Sequence, residues 1–178
     1  AVADASHTEP QEHSRCFLAT QAIMLSLPGI PAVYFHSLVG SPNDLEAVNE
    51  TGQNRRINRH KYDRQSLEEV IAEPQSLQRR VFEGYRRLLS VRIAQPAFHP
   101  NASMQVLPLP GDGLLGFIRT AGSGERLAVL ANLTGKPRVI PSDFVDSTLT
   151  YDELALERIW QGEGISMRPF QVRWLTAN

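Results

Sequence analysis

The sequence has a single cysteine, Cys16. No disulfide can form within the chain. The residue sits in an apolar helical pattern, where a small buried side chain accounts for it; a nucleophile would need an activating histidine, and none is indicated. No apolar run reaches the roughly 18 residues of a transmembrane helix, and the polar, acidic start AVADASHTEPQEHSR is no signal peptide. There is almost no net charge, −1 in all. A global field for nucleic acid or anionic membrane is therefore missing, and any electrostatic function must be local. The histidines His7, His13, His36, His60 and His99 have no ligand spacing. No glycine loop cradles a phosphate, since GSGE at 122–125 reads as a hairpin turn. No Ser/His/Asp arrangement stands out, and no cofactor or metal is expected.

What is present is ordinary for a globular protein: 178 residues, 42% hydrophobic and 21% charged. That length allows one domain or two small ones with a sizeable core. The chain starts at Ala1 without Met, which suits a processed piece of a longer chain. Three N-x-S/T triplets, at Asn49, Asn101 and Asn132, matter only in a secreted protein, for which nothing else argues.

Residues 1–13 read as a loose lead-in. The apolar pattern of Ser14–Leu27 predicts a helix with Ser14 as N-cap, stopped by Pro28-Gly29. Ile30–Phe35 is a short continuous apolar run and predicts a buried parallel strand. One helix–strand unit cannot form a stable parallel sheet alone. Residues 36–65 form a long polar loop, of the kind that is functional or disordered. Ser66–Glu69 is a capping-box pattern for a short helix that Pro74 interrupts, and Gln75–Ala94 predicts a longer helix with Leu77, Val81, Phe82, Tyr85, Leu88, Leu89 and Ile93 on its core stripe. Arg79, Arg80, Arg86, Arg87 and Arg92 are expected on its solvated face. From about residue 101, short strands separated by Pro-Gly-Asp-Gly and Ala-Gly-Ser-Gly turns predict an antiparallel β module. Its strands are expected at 105–109, 114–120, 126–132, 138–140, 156–160 and 169–176. The last alternates, with Phe170, Val172 and Trp174 on one face and Gln171 and Arg173 on the other.

The loop after Phe35 concentrates the candidate chemistry. Five of the ten residues 55–64 are Lys or Arg, and His36, Asn43, Asp44 and Asn58 lie close in sequence. A guanidinium offers a planar fork of donors to phosphate, carboxylate or vicinal hydroxyls, and asparagine both donates and accepts. A loop at the C-terminal end of a parallel strand is where an α/β barrel keeps its active site. Composition alone favours the plainer account, a solvated basic loop paired with Asp44, Glu46 and Glu50. A nucleic-acid patch is weaker still, because Tyr62 is the loop's only aromatic after Phe35.

FLATQAIMLSLPGIPAVYFHSLVGSPND followed by TGQNRRINRHKYD resembles the sucrose-phosphorylase-like branch (sucrose and glucosylglycerate phosphorylases) of the α-amylase superfamily, glycoside hydrolase family 13. The likeness is carried by Pro28-Gly29-Ile30-Pro31, Val33-Tyr34-Phe35, Gly40 with Asn43-Asp44, and Ile57-Asn58-Arg59, and more loosely by PFQVRWL at 169–175. The resemblance implies α/β plus β architecture, the end of a (β/α)8 TIM barrel (helix 7, strand 8, helix 8) over 1–100 and a C-terminal antiparallel β domain over 101–178. It implies a retaining α-glucosyl transfer run by an aspartate nucleophile, a glutamate acid/base and a further aspartate. In the family these follow strands that would precede Ala1, so the chain is expected to lack them and to be inactive alone. The acceptor side can be carried over. Arg55 stands where the branch places the arginine of the fructose or phosphate site, with Asn58 and Arg59 bracing the loop and Arg56 and His36 as further substrate-binding candidates. Donor and acceptor stay open among sucrose, sucrose phosphate and glucosylglycerate, with phosphate the expected acceptor.

Two other classes stay open: an α-glucoside hydrolase of the same family, and a non-catalytic carbohydrate-binding or interaction module built on residues 101–178. For the module, exposed rings among Tyr151, Trp160 and Trp174 decide, and Trp174 is expected in the core. A plain structural domain is the third. A cytoplasmic location is expected, with no nucleic-acid or membrane partner. An isolated half-barrel would expose apolar surface over Ser14–Phe35, so a covering chain or self-association is expected too.

Overall fold

The computed structural model describes residues 10–160 and 162–177. The helices are α1 (Pro10–Ser26), α2 (Phe35–Leu38), α3 (Leu45–Thr51), α4 (Arg64–Ala72) and α5 (Leu77–Ala94). The strands are β1 (Ser103–Val106), β2 (Leu114–Thr120), β3 (Arg126–Asn132), β4 (Arg138–Pro141), β5 (Tyr151–Asp152), β6 (Glu157–Arg158), β7 (Gly164–Met167) and β8 (Val172–Thr176). Contacts divide the chain into two compact units: residues up to Leu18 with Ala32–Arg86, and Ala19–Pro31 with Arg87 onward. This division differs from the expected change at residue 100, because within the second unit the end of α5 and the link at 96–102 pack on the sheet.

Side chains cap the starts of α3, α4 and α5. Asp44 caps α3 by accepting the Ala47 N–H at 3.0 Å, and Gly52 closes it in the left-handed region. Asp63 caps α4 by accepting the Ser66 N–H at 2.9 Å. The cap is therefore three residues before the expected Ser66, whose amide is the group being capped. The Ser76 hydroxyl accepts the Arg79 N–H at 3.0 Å and starts α5. Val81 and Tyr85 of α5 are fully buried. Gly40, at φ +62°, lies so near Val81 that a Cβ would sit 2.9 Å from the Val81 Cβ, so only glycine lets this loop approach α5. Ser14 is an interior, buried residue of α1 and not its cap.

The expected strand over Ile30–Phe35 does not form. Residues 30–34 carry no regular structure, Phe35 opens α2, and Ile30 is 87% exposed. A parallel strand needs neighbours on which to hang its N–H and C=O groups, and among the described residues none pairs with this segment.

The second unit holds a six-stranded sheet in the order β1-β2-β3-β8-β5-β6 and a two-stranded sheet β4-β7. All pairings are antiparallel. β2 and β3 keep the bounds expected from their turns. β1 starts two residues early and ends at Val106, β6 is shorter than expected, and β5 and β7 were not legible. Ile118, Ala128, Leu130 and Leu175 face a core completed by Ile140, Val145, Leu149, Ile165 and Met167. On the opposite face Phe117, Val129 and Trp174 stand in register, and Phe98 meets the Trp174 ring edge-on at 4.6 Å. The central strands β2, β3 and β8 are thus covered on both sides, and Arg173 does not look into solvent. It donates to the buried Asp152 carboxylate at 2.7 Å.

The C-terminal end of α1 is tied down by two arginines of this unit. Arg119 is fully buried and donates to the carbonyls of Ser26 (2.7 Å), His99 (2.9 Å), Ala102 (3.1 Å) and Ser103 (3.2 Å). Arg92 donates to the carbonyls of Leu25 and Gly29 and lies over the Phe98 ring. Among these acceptors the Leu25 and Ser26 carbonyls end α1, where they have no intrahelical partner. Arg92, and Arg87 through the Glu153 carbonyl, therefore leave the solvated face expected for them. Ile93, expected in the core, is 85% exposed. Asn132 is fully buried and hydrogen-bonded to the carbonyls of Lys136 and Arg168, which rules out its triplet as a glycan acceptor in the folded state.

Candidate functional site

The first unit folds its basic loop back onto the segment after Pro31. Residues 54–58 make one 3₁₀ helix, and four hydrogen bonds fasten this region to residues 34–44. The Asp44 N–H donates to the Ile57 carbonyl at 2.8 Å, and the Tyr34 hydroxyl to the Asn58 carbonyl at 3.1 Å. The His36 Nε2–H donates to the His60 carbonyl at 2.8 Å, and the His60 Nδ1–H to the Asp44 carboxylate at 3.1 Å. Rings line the joint. Tyr34 stacks on His36 with centroids 5.0 Å apart, and His60 meets Tyr62 edge-on at 4.7 Å.

The Asp44 carboxyl is held below the usual carboxylate range, first by the Ala47 N–H, then by the His60 hydrogen bond, with Arg56 adding charge. It is therefore an anion at neutral pH and an anchor for the loop, not an acid.

The candidate residues divide by role. Arg55 is exposed, and its one hydrogen bond among the described residues is a long one, from Nε to Gln53 Oε1 at 3.4 Å. Arg59 is exposed and has no ion pair among the described residues. Asn58 contributes its carbonyl to the clasp, leaving its amide exposed. Arg56 is half-buried, with its Nε lacking a partner among the described residues. His36 is half-buried at the centre of the ring cluster. Of the ion pairs expected within the loop, only Asp44 has one, and with His60; Glu46 and Glu50 have none among the described residues. Tyr34 and Ser41 were missed as site residues. The Tyr34 hydroxyl meets its partner 24 residues away, and no local spacing announces either residue.

This arrangement offers exposed guanidinium groups, suited to an anion, on a loop fastened to a cluster of hydrogen-bonding rings. Among the described residues no group of His, Cys, Asp or Glu could hold a metal ion, and no helix is long and apolar enough to cross a membrane.

No family model matches the chain. The glucosylglycerate phosphorylase of Allomeiothermus silvanus is 44% identical over 124 residues, which cover 70% of this chain and 22% of that protein. The glucosylglycerate phosphorylase of Escherichia coli is 30% identical over 172 residues, 96% of this chain and 30% of that one. The sucrose 6(F)-phosphate phosphorylase of Thermoanaerobacterium thermosaccharolyticum is 39% identical over 83 residues, covering 47% and 16%. The chain thus spans less than a third of the length of these relatives. In fold it is similar to AmyP in complex with maltose (TM-score 0.68, 17% identity, 98% of this chain and 36% of that one). It is equally similar to the trehalulose synthase MutB from Pseudomonas mesoacidophila (0.67, 15%, 91% and 38%). The chain is thus similar in sequence to glucosylglycerate and sucrose-type phosphorylases over part of their length, and it shares its fold with AmyP and MutB.

Proposed function

We propose that the full-length protein is a retaining glycoside phosphorylase that moves a glucosyl group between a small α-glucoside and phosphate. This chain contributes the acceptor-side loop of its active site. The observation that carries the reading is the clasp of residues 54–60 on 34–44, which fixes the loop while leaving Arg55 and Arg59 exposed and without carboxylate partners. A guanidinium so placed can hold phosphate for attack on a glucosyl–enzyme ester, an electrostatic role that needs no proton transfer. Arg59, Arg56, Asn58 and His36 complete the substrate-binding set. The relatives' names support phosphate as one substrate and glucosylglycerate or a sucrose-type glucoside as the other.

In this reading α1 is the seventh barrel helix, residues 30–35 the place of the eighth strand, α5 the eighth helix, and residues 101–178 the C-terminal β domain. The unpaired 30–34 segment and the exposure of Ile30 (87%), Tyr34 (47%) and Phe35 (49%) support it, because neighbouring barrel strands would cover them. The carboxylates that run the chemistry lie outside this chain, so it is inactive alone. A phosphorylase keeps the glycosidic bond energy as a sugar phosphate, which serves a cell only inside it, so the cytoplasm is the place for the reaction. Intact-mass-verified 178-residue protein should release no glucose 1-phosphate from sucrose or glucosylglycerate with phosphate present, whereas the full-length protein should. Release by the short chain, or phosphate-independent release of glucose by the long one, would overturn the reading.

One observation favours a second reading, a carbohydrate-binding β module: Trp160 is 84% exposed. Binding of the protein to a glycan array, lost in Trp160→Ala, would support it.

A further inference from the structure

His36 and Ser41 each leave a buried polar atom unanswered. The His36 Nε2 faces the His60 carbonyl oxygen at 2.8 Å. A carbonyl only accepts, so Nε2 carries the hydrogen, and in the neutral ring Nδ1 is then a lone-pair acceptor. That Nδ1 is buried and has no hydrogen-bond partner among the described residues. The Ser41 Oγ is buried and unpartnered in the same way. Such atoms are rare in folded proteins and call for an explanation. Both residues line one small cavity of about 50 Å³, with Tyr34, Asn43 and Asn58 in its wall.

We infer that this cavity is a hydroxyl-recognition pocket, in which a sugar or polyol hydroxyl donates to His36 Nδ1 and accepts from the Ser41 hydroxyl. The inference rests on the reading of the Arg55 loop as the acceptor side of a glucosyl-transferring site. One hydroxyl carries one hydrogen and two lone pairs, so a single group answers both protein atoms. Phosphate is the wrong partner here, because a phosphate dianion presents mostly lone pairs, which the bare Nδ1 opposes. Size agrees: about 10–15 Å³ of such space holds one water-sized group, so a cavity of about 50 Å³ has room for a hydroxyl. The site thereby separates its two chemistries, anions at the exposed guanidinium groups and a hydroxyl at His36. The ring is held for this task by the His60 carbonyl on Nε2 and by Tyr34 stacked on its face.

The test uses full-length protein labelled with 15N-histidine, with His36→Gln to assign the ring. Long-range proton–nitrogen spectra show which nitrogen bears the hydrogen. The expected result is hydrogen on Nε2 and a bare Nδ1. Glycerol, a plain polyol, should shift the Nδ1 resonance, while inorganic phosphate at the same concentration leaves it in place. Hydrogen on Nδ1 with a bare Nε2 overturns the inference, and so does an Nδ1 resonance that moves with phosphate or ignores glycerol. Kinetics give a second, independent arm. His36→Gln keeps a donor near the Nε2 position and removes the Nδ1 acceptor, and His36→Asn does the reverse. His36→Gln should raise KM for the hydroxyl-bearing substrate about 2- to 10-fold, the worth of one hydrogen bond, with the phosphate KM unchanged. Equal changes in both constants overturn it. A full-length protein that makes no sugar phosphate defeats the phosphorylase reading, and the spectra then still decide the pocket.

Discussion

His60 donates its Nδ1–H to the Asp44 carboxylate at 3.1 Å across sixteen positions of chain, while the same carboxylate caps α3. Both contacts stabilise the ionised form, and the Asp44 carboxyl lies below its ordinary value, the Ala47 N–H being the larger cause. A carboxylate depressed in the folded state adds stability above its unfolded pKa of about 4 and loses it as pH falls through the folded value. Asp44→Asn should therefore melt lower than the parent at neutral pH, with the gap closing in acid. Thermal melts across this range check it, and a gap independent of pH would contradict it.

Asp152 predicts the opposite slope. It is 1% exposed, and burial pushes its carboxyl up more than the adjacent Arg173 pulls it down. An acid raised in the folded state favours folding while protonated, and that advantage disappears as pH rises through the folded value. Parent protein should gain less stability than Asp152→Asn between the unfolded carboxylate pKa and neutrality. Urea denaturation at several pH values reads the two slopes, and equal slopes would contradict the assignment.

Arg119 is a buried cation satisfied by four main-chain carbonyls and by no carboxylate among the described residues. Arg119→Met removes the donors and strands the acceptors. The expected loss is about 3–4 kcal/mol, from unsatisfied buried carbonyls at about 1–3 kcal/mol each, partly relieved by water. Arg119→Lys should lose less, since an ammonium can still reach part of the set. Chemical denaturation compares the three proteins, and a neutral Arg119→Met would contradict this role.

The two tryptophans differ sharply, Trp174 being fully buried and Trp160 84% exposed. Iodide quenching should be biphasic, and Trp160→Phe should remove the accessible component. Trp174→Leu should cost about 3 kcal/mol. A quenching curve that Trp160→Phe leaves unchanged would contradict the placement.

Legibility followed the range of the forces involved. β2 and β3 were readable residue by residue because Gly- and Pro-containing turns bound them on both sides. The α4 cap was misplaced by three residues because Asp63 and Ser66 are both good caps, and only geometry shows which carboxylate or hydroxyl meets which amide. The run Ile30–Phe35 has the composition of a strand, yet strand formation depends on partners that the run itself does not encode. Arg92 and Arg119 look like surface charges until the carbonyls of residues 25–29 are brought beside them. In the site, Arg55, Arg56, Asn58, Arg59 and His36 were visible as a polar cluster. The clasp was not, because Tyr34 and His36 find their carbonyl partners 24 residues away.

The central claim concerns Arg55. Its most direct test is the dependence of initial glucose 1-phosphate formation on phosphate concentration, for full-length parent protein and Arg55→Ala with glucosylglycerate as donor. Loss of a charge-assisted contact of about 1.5–3 kcal/mol predicts a phosphate KM raised at least about tenfold, with Lys intermediate. An unchanged phosphate KM in an otherwise folded Arg55→Ala protein would contradict it.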